Sequence, residues 1–287
     1  MQPRAGTFMT IIARFKGSPE FTGLARSTRR AYLAYIKLVE DEFGDLPLAA
    51  LTDRRVRGEF KDWRDRYANT PRKADFAWTV LARILSFAKD RGIISVNPCE
   101  RGGRLYAGSR RDRIWSEEDI ASLLSVAPKE LQLALMLAIW TGQRQGDLLR
   151  LPWSAYDGTH IRLQQSKTGR RIMMPAGTPL KALLEVTERR ATMILTNSLG
   201  RPWTPDGVRS SWGKLSHRAG IQDLTFHDLR GTAVVRLAIA GATVPQIATF
   251  TGHSLRDVEA ILDAHCLGRD IQLAEAAVLK LEARTKL

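Results

Sequence analysis

The chain has 287 residues, 44 of them Lys or Arg against 30 acidic ones, giving a formal net charge of +14. That length holds one or two domains with ample core. Two cysteines, Cys99 and Cys266, exclude a disulfide framework or a four-cysteine zinc site, and no signal peptide or membrane-spanning run is read, so a bacterial cytoplasm, or a viral gene product inside one, is expected. The basic excess is spread, with 20 basic against 12 acidic residues in 1–107 and 24 against 18 in 108–287. Nucleic acid is the partner this implies, ahead of charge that serves solubility alone.

Phe8 to Phe15 is weakly apolar and reads as a short helix before Gly17-Ser18-Pro19. A longer helix is expected from Ser27 or Thr28, as its cap, to Gly44, with Tyr32, Tyr35, Ile36, Val39 and Phe43 at helical spacing. Asp53 opens another, carrying Val56, Phe60, Trp63 and Tyr67 on one face. A third runs from Pro71 to Arg91-Gly92. Residues 1–100 are thus expected to form an all-helical unit. Residues 101–113 are Gly-rich, hold Arg101, Arg104, Arg110, Arg111 and Arg113, and read as a basic linker suited to a phosphate backbone.

The second domain, 114–287, opens on Ser116 with Asp119 three residues on, a capping-box spacing. Helices are expected at 117–126 and 129–140, and Thr141-Gly142 stops the second. His160–Gln164 and Arg171–Met174 read as a β-hairpin around S-K-T-G-R. Beyond it come a helix at 178–190, a short strand at 193–196, and helices at 205–219, 227–240, 244–250, 255–265 and 269–284. The fold class is mainly α with a small β-sheet, the second domain being α+β.

Arg144 follows the helix break and precedes Asp147. Arginine is seldom buried unpartnered, so two roles stand open: an Arg144–Asp147 structural pair, or a rigid grip on an anion such as phosphate. Four further features could meet there: Lys167 on the hairpin tip, His227 with Arg230 at a helix start, His253 beside Gly252, and Cys266 after the following helix. Singly, each has a plainer account: a solvated lysine, structural histidines, a small buried thiol.

In order, T-G-Q-R-Q-G-D-L-L-R-L-P-W, S-K-T-G, H-D-L-R-G-T and T-G-H-S resemble the tyrosine recombinase, or phage integrase, family. The likeness covers nearly the whole chain, since R-G-I-I-S-V-N-P is similar to the end of the family's helical (SAM-like) core-binding domain. It implies a two-domain clamp on duplex DNA and favours phosphate at Arg144. It implies a site-specific recombinase that cuts and rejoins DNA through a 3′-phospho-protein link, to integrate or excise a mobile element. Neither metal nor cofactor is implied. Arg144 and Arg230 would clamp the non-bridging oxygens, His253 would add a hydrogen bond, Lys167 would protonate the leaving 5′-oxygen, His227 would assist proton transfer, and Asp147 would orient the arginines. The partners implied are attachment-site DNA, three further copies in a tetramer that exchanges its C-terminal helix, and an accessory bending or directionality factor.

One part is missing. The tyrosines are Tyr32, Tyr35, Tyr67, Tyr106 and Tyr156, and none follows T-G-H-S, where the family keeps its nucleophile. The commoner family spacing lands on Leu262, within an apolar helical pattern, and a longer one on Cys266, which is the preferred position. Three accounts stand: a Tyr-to-Cys change that abolishes cleavage, a cysteine nucleophile of shorter reach, and a DNA-binding protein or regulator on the same fold without strand chemistry.

Overall fold

The computed structural model describes residues 5–53, 55–108, 110, 113–265 and 271–284. It divides into two units, Met1–Gly108 and Ser109–Leu287. In the first, α1 (Phe8–Lys16), α2 (Pro19–Thr22), α3 (Arg26–Phe43), α4 (Val56–Asp65) and α5 (Pro71–Asp90) surround one core. The weakly apolar opening segment is central to it, for Phe8, Ile11, Ile12 and Phe15 are all buried against α3 and α5. Ile36, Val39 and Phe43 line the inner stripe of α3, and Phe43 meets Phe60 and Trp63 of α4 edge-on. Two boundaries differ from expectation. Helix α3 starts at Arg26, with Ser27 and Thr28 inside its first turn, and Ala25 at the cap position makes no side-chain bond. Asp53 ends a 3-10 turn, Leu48–Thr52, instead of opening α4.

The stretch from Asn97 to Gly108 is lashed to this unit. Arg57 Nη1 donates to the carbonyls of Pro98 and Glu100, Lys61 Nζ and Arg64 Nη1 donate to Gly102 O, and Trp78 Nε1 donates to Cys99 O. The Asp75 carboxylate accepts from the amides of Leu105 and Tyr106 at 2.8 and 3.0 Å. A side chain at Gly102 would run into the Trp78 indole. The first half of the expected linker is therefore a fixed strap.

In the second unit, α6 (Glu117–Val126) carries the expected capping box of Ser116 and Asp119. Helix α7 (Lys129–Thr141) follows, then the single turn α8 (Gln145–Leu148). Strands β1 (His160–Gln164) and β2 (Arg171–Pro175) pair antiparallel, from His160 opposite Pro175 to Gln164 opposite Arg171. Helices α9 (Thr178–Val186), α10 (Pro205–Arg218), α11 (Leu229–Ile239), α12 (Val244–Thr251), α13 (Leu255–His265) and α14 (Ile271–Arg284) complete it. Helix α11 is central and touches α7, α12, α13 and α14, while β2 lies against α12.

The expected strand at 193–196 is not one. Met193 bridges Pro152 and Thr196 bridges Pro202, each in isolation. Proline offers no N–H, so neither bridge extends into a ladder. Helix α9 also stops at Val186, short of the expected 190.

Removing the Asp75 carboxylate takes away charge-assisted bonds whose loss costs roughly 1.5–3 kcal/mol. Asp75→Ala is expected to speed hydrogen exchange at the Leu105 and Tyr106 amides by about tenfold or more, with the α1 amides unchanged, as read by exchange mass spectrometry or NMR.

Candidate active site

Two helices end at the site in the same way. Helix α7 is apolar nearly all round and stops at Gly142, whose φ is +62°; α12 stops at Gly252, whose φ is +69°. A left-handed residue at this position favours glycine, and packing sharpens the demand. A Cβ on Gly142 would sit 2.9 Å from Thr251 Cγ2, and one on Gly252 would collide with Ile172 and Gln165.

The last carbonyls of a helix lack internal partners and carry the negative end of its dipole. Here they hold Arg230, which is 5% exposed. Its Nη1 donates to Gly142 O and, at 3.1 Å, to Thr251 O. Its Nη2 is buried with no partner among the described residues. Burial, and then the Arg144 charge, press the guanidinium down to about 9, so it remains cationic at neutral pH.

Arg144 leaves the α7 break as the N-cap residue of α8 and is half-buried. It does not form the Asp147 pair considered from the sequence. Its Nη1 donates to Gln165 Oε1 at 3.2 Å. Asp147 binds elsewhere: Oδ1 accepts from Ser166 N and Oγ at 3.0 and 2.7 Å and from Arg150 Nη2 at 3.2 Å. Its carboxylate thus braces the hairpin turn and makes no direct bond to Arg144.

His253 lies in the same cleft, and burial followed by the Arg230 charge pushes its imidazole down to about 3. It is neutral at physiological pH. Thr251 Oγ1 lies 2.7 Å from His253 Nδ1 and 2.7 Å from Ile247 O. With its proton on Ile247 O, the hydroxyl accepts from Nδ1–H and leaves Nε2 a lone pair. Turned to Nδ1, it leaves the ring proton on Nε2, and only then can neutral His253 donate into the cleft.

His227 stands in the 3-10 turn Phe226–Asp228 that leads into α11. Its outer edge is exposed, but burial of the rest lowers it below the ordinary histidine value, and the charges of Arg230, Arg144 and Lys167 add to this. Lys167 is exposed on the hairpin turn. The turn is closed by Gln165 N to Arg170 O and Gly169 N to Gln165 O, both 2.8 Å, and tied to the motif loop by Arg170 Nη1 to His253 O at 2.8 Å.

Arg110, expected on DNA, is engaged within the protein. It pairs with the buried Asp228 at 2.5 Å and donates to Asp223 O at 2.8 Å, because a carboxylate that caps the 3-10 turn needs a cation when buried. Arg101, Arg104 and Arg113 are exposed. Arg111 and Cys266 lie outside the described residues.

The sequence reading missed Gln143, Gln165 and Thr251. Gln143 Nε2 donates to Thr141 O and Thr251 O at 3.0 and 3.1 Å, and Gln165 is wholly buried. A signal for Gln165 was available: it continues the Ile161, Leu163 alternation of β1, so a carboxamide falls on the inward face.

The domain thus gathers a buried and a half-buried arginine and a half-buried histidine around the junction of α7 and α12, beside the hairpin turn. The chain is a member of the phage integrase family, whose model matches residues 114–258. It is 26% identical over 251 residues to the integrase of Escherichia phage HK022, covering 77% of this chain and 70% of that one. The integrase of Escherichia phage lambda is 28% identical over 179 residues, 62% of this chain and 50% of its own length. The shufflon-specific DNA recombinase of Escherichia coli is 30% identical over 183 residues, covering 61% of this chain and 46% of that one. The chain thus spans about half to 70% of these relatives' lengths. The fold matches a lambda integrase dimer bound to a COC' core site, with TM-score 0.77 and 23% identity over 92% of this chain and 79% of that one. It also matches the Tn1549 transposon integrase in complex with a circular intermediate DNA, with TM-score 0.74 and 15% identity over 97% of this chain and all of that one.

The depressed imidazoles make stability depend on pH. Unfolded His253 takes a proton near 6.5, whereas the folded ring resists to about 3. Stability is therefore full above 6.5 and falls as pH drops toward 3, by up to about 1.4 kcal/mol per pH unit for each such proton. The Tm is expected to drop between pH 7 and 4.5, above the range where Asp228 and Asp257 titrate. In His253→Gln that drop is smaller, by differential scanning fluorimetry.

Proposed function

We propose that the chain is a site-specific DNA recombinase of the tyrosine type whose nucleophile position holds Cys266, a replacement that leaves it deficient in strand cleavage. The observation that carries this is the arginine pair: Arg144 and Arg230 converge on one cleft, each oriented by neutral oxygens and so left with charge to offer a phosphate. With a tyrosine restored at position 266, its phenol oxygen would bond to phosphorus, the bond to the 5′-oxygen would break, and that oxygen would take a proton from Lys167. Arg144 and Arg230 neutralise the charge gathering on the non-bridging oxygens of the phosphorane, and His253 donates to it from Nε2. His227, neutral, moves the nucleophile's proton. The 3′-phospho-protein link keeps the bond energy, so rejoining is the same step reversed.

Residues 1–100 act as the core-binding domain, 101–113 as the connection to the catalytic domain 114–287, and exposed Arg101, Arg104 and Arg113 face DNA. The working form is a tetramer on two attachment sites, assisted by an accessory factor, in the cytoplasm of a bacterial host. The likeness of the fold to a lambda integrase tetramer bound to a Holliday junction supports that assembly. So does α14, which exposes Ile271, Val278 and Leu279 and would serve as the exchanged helix.

A second possibility, DNA binding without strand chemistry, is favoured by the lack of any tyrosine after T-G-H-S. Nicked attachment-site duplex separates the two. No SDS-resistant adduct is expected with Cys266, and an adduct is expected with Cys266→Tyr. In that background Arg144→Ala should slow adduct formation by about 100-fold or more. Failure of Cys266→Tyr to form an adduct points to binding alone. An adduct from the unaltered chain that disappears with Cys266→Ala makes the cysteine the nucleophile.

A further inference from the structure

Gln165 is the last residue before the S-K-T-G turn and has no exposed surface. Its carboxamide is fully engaged. Oε1 accepts from Arg144 Nη1 at 3.2 Å and from Thr168 Oγ1 at 2.9 Å. Nε2 donates to Gln143 Oε1 at 2.7 Å and to Thr251 O at 3.0 Å. The orientation of the amide is dictated by chemistry: a guanidinium can only donate and a peptide carbonyl can only accept. The oxygen must therefore face Arg144. One side chain thus joins the arginine to the turn that carries Lys167 and to the carbonyl that also anchors Arg230.

We propose that Gln165 is a positioning residue for strand transfer, fixing the Arg144 guanidinium and the Lys167 turn as one body through a neutral acceptor. This rests on the recombinase function proposed above. The neutrality is the point. A carboxylate of the same length would reach Arg144 equally well but would cancel the charge meant for phosphate. It would also set oxygen against oxygen at Thr251 O and Gln143 Oε1. Two neighbouring arginines differ in this respect: Arg110 is held by Asp228 and Arg150 by Asp147, both buried carboxylates. Among the described residues, Arg144 and Arg230 are held by an amide and by carbonyls, with no carboxylate bonded to either.

The test uses the full chain and two readouts. The first, free of DNA and of activity, is the Arg144 side-chain 15N–1H signal, assigned by its loss in Arg144→Lys. The second is the single-turnover rate of adduct formation on nicked attachment-site duplex, in the Cys266→Tyr background. Gln165→Met and Gln165→Glu are each expected to shift the Arg144 signal and to slow the adduct by about 30-fold or more, while DNA affinity changes by less than about threefold. Thr168→Val, at an exposed position that leaves the core intact, removes the turn's bond to the amide and one long 3.5 Å bond from Arg170 N within the turn. It is expected to slow the adduct about three- to tenfold with Tm unchanged, so the proposal stays testable if both Gln165 variants fail to fold. An unmoved Arg144 signal in a folded Gln165 variant, or a normal adduct rate in that variant or in Thr168→Val, overturns the proposal. No adduct from Cys266→Tyr with Gln165 intact defeats the recombinase function instead, and the arginine signal then decides the positioning role alone.

Discussion

Everything at the site depends on two helix C termini being brought tip to tip. Each ends in a left-handed glycine, Gly142 or Gly252; a Cβ on the first would press on Thr251 of α12, and one on the second would strike Ile172 and Gln165 of the hairpin. Their exposed carbonyls would repel one another in a dry interior. Arg230 resolves this by lying between them, and Thr251 O gathers donors from Arg230, Gln143 and Gln165 at once. The same bonds that make the junction tolerable also fix a guanidinium with one nitrogen, Nη2, left over. Structure and chemistry are here one constraint.

Placing the cations this way shapes the titratable groups around them. Burial is the chief reason that His227 and His253 both lie below the ordinary imidazole value, and the neighbouring cations add to it. Neutral rings can donate from one nitrogen and accept at the other, whereas charged ones can only donate. The hydroxyl of Thr251 then selects which nitrogen of His253 carries the proton.

Much of this was legible in the sequence, and what was not has a common cause. Helical periodicity located α3, α5, α6 and α7 because their apolar faces are long. The alternation around S-K-T-G located the hairpin. The four motifs named the charged residues of the cleft. Sequence does not reveal which partner a long polar side chain finds across the fold. Arg110 sits in a run of arginines that reads as DNA-binding, yet it meets a carboxylate 118 positions away. Arg144 and Asp147 are neighbours on the chain but bond to different residues of the hairpin. The segment 193–196 has strand composition, but Pro152 opposite it denies a ladder. Gln165 drew no notice because an uncharged residue beside a lysine motif looks like filler.

The strap at 97–108 has a consequence for how this protein can vary. The basic side chains of α4 and the indole of Trp78 hold it by main-chain oxygens, and Asp75 holds it by main-chain N–H groups. None of these bonds reads a side chain on the strap. Leu105, held by its amide, can therefore change its side chain without loosening the strap, whereas Gly102, pressed on Trp78, cannot. Selection for the path of this stretch should therefore fall on Lys61, Arg64, Asp75 and Trp78, residues of other elements that grip it, as much as on the letters of the strap itself.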